Sequence, residues 1–372
     1  MINFILTTLV PFLVVFSILV LVHEFGHFIT AKWFGIKVEE FGLGMPPKIF
    51  SHKFGGTEFS LNAIPLGGFV RLLGEDGSDN ADDRSFASKP YLPRAIVLVA
   101  GVTMNILIAW LLFSFLIFTQ GIDRHPTLLQ VSQVQQNSPA SIAGLLENDI
   151  IVGINDKKFP TGNDFTQTAL ASVGRSLSIV VERSLPNEKT PQTVSLIVIP
   201  REQTEKEGAI GVSLDLLLLP SGQIGDMLQL DTPVEPGNML SSAYYGAILN
   251  GAVVVNTVQS LGVLFVNLIQ ATLPKDVAGP IGIMQIVGVH AQFGFLNLMF
   301  LVGILSINLA VLNILPIPAL DGGRIAVITV EKLVHKKLPP NVEAAIHTSG
   351  FLLLLALVIA VSFQDIARIL NF

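Results

Sequence analysis

His23, Glu24 and His27 fall in one short run, His23-Glu24-Phe25-Gly26-His27. On an α-helix, positions i and i+4 share a face with Cβ atoms roughly 5–6 Å apart, so two imidazoles so spaced can bind one ion. Glu24 is adjacent, within reach of a proton on a water at that ion. A catalytic zinc usually has three protein ligands and one open position. The third ligand must come from elsewhere, and the chain contains no cysteine, so it is His, Asp or Glu. An extended motif with a third histidine at position 33 is excluded, because Trp33 stands there. His52, Glu58, His125, His290, His335 and His347 qualify by residue type alone. Asp321 is better placed, since it closes the uncharged stretch 277–320. Two readings stay open for Asp321: a ligand, or an Asp-Gly turn that ends a helix. The alternative for the two histidines is packed or interfacial side chains.

The setting of this motif is apolar. Residues 1–22 contain no Asp, Glu, Lys or Arg, so Glu24 is the first acidic side chain. A charge near a bilayer centre costs roughly 2.5–3.5 kcal/mol on insertion scales, and a metal site is a reason for it to persist. Of the 372 residues, 51% are hydrophobic and 13% charged. That composition excludes disorder and argues against an ordinary soluble protein. A net charge of −6 disfavours nucleic acid as a partner. The stretches 1–22, 95–122, 236–274, 277–320 and 344–364 carry no charged residue. Each approaches or exceeds the about 20 apolar residues that a spanning helix needs. The first lacks the basic start and small-residue cleavage site of a signal peptide, so it is expected to be retained.

Lys32, Lys37, Lys48, Lys53, Arg71, Arg84, Lys89 and Arg94 crowd the segment between the first two apolar stretches. The positive-inside rule places that segment in the cytoplasm and the N-terminus outside. If 236–274 spans, Asp321 ends outside. If it lies in the interface, Asp321 comes to the side of His23 and His27. Arg324, Lys332, Lys336 and Lys337 follow Asp321 and favour the second arrangement. This predicts about four spanning helices, with 236–274 as interfacial amphipathic helices.

The HEFGH run, together with Asn313-Ile314-Leu315-Pro316-Ile317-Pro318-Ala319-Leu320-Asp321-Gly322-Gly323-Arg324, resembles the site-2 protease family of intramembrane zinc metalloproteases, closest to the bacterial regulator-of-sigma-E branch. Ala100-Gly101-Val102-Thr103-Met104-Asn105 and Ala278-Gly279-Pro280-Ile281-Gly282-Ile283 resemble its approaches to the second and third spanning helices. The resemblance covers most of the chain. It implies Zn2+ held by His23, His27 and Asp321, Glu24 as general base, and substrate contacts from Asn308 and Asn313. The alternative for the asparagines is hydrogen bonding between helices. Pro316 and Pro318 break the helix before Asp321, which fits irregular backbone lining a water-filled cavity.

The expected fold is a polytopic α-helical membrane protein with a membrane-associated β-hairpin region and one extracytoplasmic PDZ domain. The expected segments are helix 1 at 1–33, the cytoplasmic β region and acidic loop at 34–94, and helix 2 at 95–120. A PDZ domain at 125–215 follows, then 236–274, helix 3 at 294–318, a cytoplasmic loop at 319–346 and helix 4 at 347–368. Within the β region, residues 41–72 alternate turn and apolar residues and read as short strands. In the family such an edge strand pairs with substrate; a plain cytoplasmic β-loop is the alternative. Asp76, Asp79, Asp82 and Asp83 lack EF-hand spacing and read as a solvated acidic loop. Four strands and two short helices in 125–215 resemble a circularly permuted PDZ domain, in one copy where enterobacterial sigma-E proteases carry two. That domain is expected to filter by size or to take a peptide in its groove. The expected activity is cleavage of single-span substrates within the bilayer of the cell (inner) membrane, such as anti-sigma factors or remnant signal peptides. Other readings are a non-catalytic PDZ-bearing scaffold and a metal transporter.

Overall fold

A computed structural model describes residues 5–75, 82–122, 128–155, 157–158, 162–183, 192–202, 208–217, 224–225, 227–228, 234–270 and 278–369. Asp76, Asp79 and His125 lie outside the described residues. The chain forms two compact units, Met1–Leu116 with Met239–Phe372, and Ile117–Asn238.

The first unit is built from long apolar helices, the form in which a chain satisfies its own backbone hydrogen bonds without water. The first two are α1 (Val10–Trp33), which continues a π-helical turn at Ile5–Leu9, and α2 (Tyr91–Gln120). Among the described residues, five helical stretches are long and apolar enough to cross a membrane: Ile5–Trp33, Tyr91–Gln120, Met239–Asn267, Phe295–Ile314 and Asn341–Ala367. The chain is a multi-pass membrane protein. The segment expected to lie in the interface is thus one continuous helix over most of its length. It packs on α2 where Trp110 Nε1 donates to Ala243 O at 2.9 Å and Asn250 Nδ2 donates to Ile106 O at 3.0 Å.

Three helices form the wall behind the histidines. Along α1 and α2, His23 meets Asn105 and His27 meets Val97, so the two run antiparallel. Phe113 packs on Phe300, and Ser306 Oγ donates to Asn105 O at 2.8 Å. The helix Phe295–Ile314 is therefore antiparallel to α2 and parallel to α1. Gly26 sits so close to the backbone of Ala100 that no Cβ would fit there. Small residues at such a crossing let membrane helices approach.

Between α1 and α2, β1 (Val38–Phe54) and β2 (Thr57–Leu72) form an antiparallel hairpin. It turns at Gly55-Gly56, both with positive φ. Both strands bend, so Phe41 pairs with Val70 and also with Phe59. The rings of Phe28, Phe41 and Phe59 fix the hairpin to α1. Gly68, near the end of β2, comes up against Leu21 and Glu24.

In the second unit, β3 (Leu128–Val134), α3 (Pro139–Ala143), β4 (Ile150–Ile154), β5 (Lys157–Lys158), α4 (Gly162–Ala171), β6 (Leu177–Arg183), β7 (Gln192–Val198) and β8 (Val212–Leu217) make one mixed body. The sheet order is β7-β6-β4-β3-β8, with β5 on β4. β8 was not anticipated from the sequence. Inward-facing Leu129, Val131, Ile151, Ile154, Ile179 and Val181 form its core. Ser138 caps α3 by accepting the Ser141 N–H, and Gly144 ends it in the left-handed conformation.

The remaining helices are α5 (Met239–Ile269), α6 (Pro280–Gln292), α7 (Phe295–Ile314), α8 (Asp321–Val334) and α9 (Pro340–Ile369). At the start of α6 the N–H groups of Gly279 and Gly282 donate to the carboxylate of Asp365 on α9, at 3.1 and 2.8 Å. Asp365 is buried, and a Cβ on either glycine would displace it.

Arg183 Nε and Nη2 both reach the carboxylate of Asp149 at 2.7 Å, and Asp149 is 1% exposed. Breaking a buried pair from one side leaves the other charge uncompensated. Asp149→Ala is expected to destabilise the second unit by about 3 kcal/mol. Limited proteolysis of the full chain along a urea gradient checks this; cleavage within 117–238 at wild-type urea concentrations would contradict it.

Candidate metal centre

His23 and His27 lie on the buried face of α1, their Nε2 atoms 3.1 Å apart. Asp321 Oδ2 is 2.9 Å from His23 Nε2 and 3.3 Å from His27 Nε2. Ligands about 2.0–2.1 Å from a tetrahedral zinc are roughly 3.3 Å from one another, so this triangle suits one such ion. The orientation of the rings suits it too. His27 Nδ1 donates to Val97 O at 2.7 Å, which leaves the Nε2 lone pair facing Asp321. Gly101 of α2 keeps the space open: a Cβ there would lie 2.5 Å from His27 Nε2 and 2.8 Å from His23 Nε2. Among the described residues, His23, His27 and Asp321 form the one metal-compatible group of three.

Asp321 reaches the site through a broken helix end. α7 stops at Ile314, and Leu315 is extended before Pro316, as residues preceding proline are. Ala319 takes a positive φ of 79°, and its N–H donates to His347 Nδ1 at 3.1 Å. The turn then lies directly on the first residues of α8. Gly322 faces the carbonyls of Ile314 and Leu315, and Gly323 that of Ile317, so side chains are excluded at both. Burial opposes the charge on Asp321, but the two imidazoles outweigh it and hold the carboxyl below the ordinary carboxylate range.

Glu24 lines a cavity of about 180 Å³ with His27, Phe69, Glu75, Asp321 and Arg324. Glu75 and Arg324 form an ion pair at its edge. Asn313 Nδ2 is 3.4 Å from His23 Nε2, whereas Asn308 accepts from Thr257 of α5 at 2.7 Å. The other residues that qualified by type are engaged elsewhere. Glu58 pairs with Lys48, His52 sits on β1, His290 contacts Asn297 O, and His335 ends α8. The sequence motifs contain Gly101 and Asn105 but gave neither a role. The available signal was a lone amide four residues after a glycine, inside an uncharged apolar helix.

An HExxH helix, a distant aspartate and a glutamate on a shared polar cavity define a metal-dependent hydrolase built into membrane helices. The chain belongs to peptidase family M50, whose model matches residues 11–357. It is 34% identical over 354 residues to a Clostridium perfringens protein named as a candidate zinc metalloprotease, covering 95% of this chain and 97% of that one. It is 28% identical to the zinc metalloprotease RasP of Oceanobacillus iheyensis, covering 98% of this chain and 100% of that one.

Gly101→Ala raises the helix propensity of α2 yet pushes a methyl group onto both imidazoles. We expect divalent-metal affinity to fall about 10–100-fold, the range seen when ligand orientation is lost. Competition with a chelator measures it, and wild-type affinity would contradict the role given to Gly101.

Proposed function

We propose that this chain is a zinc-dependent intramembrane endopeptidase in which His23, His27 and Asp321 hold the ion and Glu24 is the general base. The observation that carries the reading is the meeting of Asp321 Oδ2 with both Nε2 atoms beside α1, from nearly three hundred residues away. Zinc, when bound, supplies Lewis acidity toward the scissile carbonyl and lowers the pKa of water. Glu24 takes the proton of the attacking water and returns it to the leaving amine. The Asn313 amide, beside His23, is the group we assign to the substrate backbone. Asn308 commits its oxygen to Thr257 and retains its N–H groups for a substrate carbonyl.

A transmembrane helix must be extended before its peptide bonds can be attacked. The end of β2 beside Glu24 supports extension by strand addition, which gives main-chain hydrogen bonds to an unwound segment. The substrates we assign are single-span proteins already trimmed outside, such as anti-sigma factors, and remnant signal peptides. We read the second unit as one permuted PDZ domain. Edge strand β8 and helix α4 flank a cavity of about 130 Å³ lined by Phe165, Ala169, Leu170, Ile210, Val212 and Leu214, which suits a docked peptide strand.

The helix directions support four crossings, by α1, α2, α7 and α9. Because α7 is antiparallel to α2, the chain between them crosses the membrane an even number of times. α6 has 13 residues, about 20 Å of helix, short of the about 30 Å hydrocarbon core. α5 therefore does not cross alone, and the basic residues of 32–94 put the N-terminus outside.

Glu24→Gln is expected to keep stoichiometric zinc and to lose cleavage of a model transmembrane peptide by at least about 100-fold. His23→Ala and Asp321→Asn are expected to lose both. Equal cleavage by Glu24→Gln would remove the general base, whereas no cleavage by the wild type would favour a scaffold or transporter. Separately, an epitope inserted at residue 275 should be reached from outside in intact cells; access only from the cytoplasm would overturn the four-crossing arrangement.

A further inference from the structure

We infer that Asn105 is a positioning residue that fixes the tautomer of His23 for metal binding, through its side-chain oxygen. The inference rests on the reading of His23, His27 and Asp321 as zinc ligands. His27 has a partner that settles its tautomer, the Val97 carbonyl. Among the described residues, no carbonyl or carboxylate meets His23 Nδ1. The group there is the Asn105 amide, with Nδ2 at 3.3 Å.

The arrangement has one chemical weakness. Asn105 is fully buried, and its Oδ1 is enclosed without a hydrogen-bond partner. With Nδ2 toward His23, the ring must carry its proton on Nε2, where it donates to Asp321 at 2.9 Å. That tautomer has no lone pair for a metal at Nε2. Half a turn of the amide about its last torsion exchanges the oxygen and nitrogen. Oδ1 then accepts from His23 Nδ1–H, the buried oxygen gains a partner, and Nε2 presents its lone pair beside that of His27. Both ligands are then oriented alike, each by an acceptor on α2, as metal-binding histidines generally are. Ser306 Oγ on α7 donates to the Asn105 backbone carbonyl and holds the residue in place.

The test is zinc affinity of the full chain in detergent, by chelator competition, with helical content followed by circular dichroism. Asn105→Leu removes the acceptor and should weaken zinc binding about 10–100-fold. Asn105→Asp keeps an acceptor, lacks an N–H donor, and should bind zinc at least as tightly as wild type. Wild-type affinity in Asn105→Leu would overturn the inference. So would loss of zinc by Asn105→Asp with wild-type helical content, and that arm decides the matter if Asn105→Leu does not fold. A wild-type chain that takes up no zinc would overturn the ligand assignment itself, whereas the first two outcomes leave that assignment standing.

Discussion

Polar groups enclosed by apolar helices must find their partners among themselves, and most of the first unit follows from that constraint. His23, His27 and Asp321 meet one another, and their outward-facing atoms are met in turn. Val97 O receives His27, the Asn105 amide lies against His23, and the Ala319 N–H beside Asp321 is taken by His347. Each link needs close approach, and glycine supplies it. Gly26 and Gly101 bring α1 onto α2, while Gly322 and Gly323 bring the broken turn onto α8. The alternation in direction of α1, α2 and α7 follows as well, since it sets the two histidines and the aspartate at one depth.

Much of the candidate site was legible in the sequence because its cues are local. His23, Glu24 and His27 lie within five residues, and Asp321 ends a long uncharged stretch. The hairpin declared itself through turn residues between apolar ones, although its bend, which gives Phe41 two partners, did not. Gly101 and Asn105 had no local cue to a role. Which face of α2 meets α1 is decided by packing, and the charge-free run 95–122 is apolar on every side. β8 was missed because its partner β3 lies about eighty residues earlier, and strand pairing across that distance leaves no periodic trace. Residues 236–274 form one helix over most of their length. Its Asn250 and Thr257 each hydrogen-bond a neighbouring helix.

The second unit obeys the opposite solvent rule. Its strands β4 and β6 alternate buried and half-buried positions, its core gathers aliphatic side chains with Phe165, and among its described residues the deeply buried carboxylate of Asp149 is matched by a bidentate arginine. An uncompensated charge would be costly in both units, but the second can leave its remaining polar groups to water.

Asp365 has a consequence for the order of assembly. The start of α6 points two backbone N–H groups at a carboxylate that belongs to α9. As the polypeptide is synthesised, α6 is made long before that carboxylate exists. Until α9 arrives, those donors must be met by water or lipid headgroups, which keeps the start of α6 near an aqueous boundary. The contacts of Asp365 with the start of α6 can form only once α9 has emerged. A nascent chain therefore carries His23 and His27 well before Asp321 and Asp365 have been made.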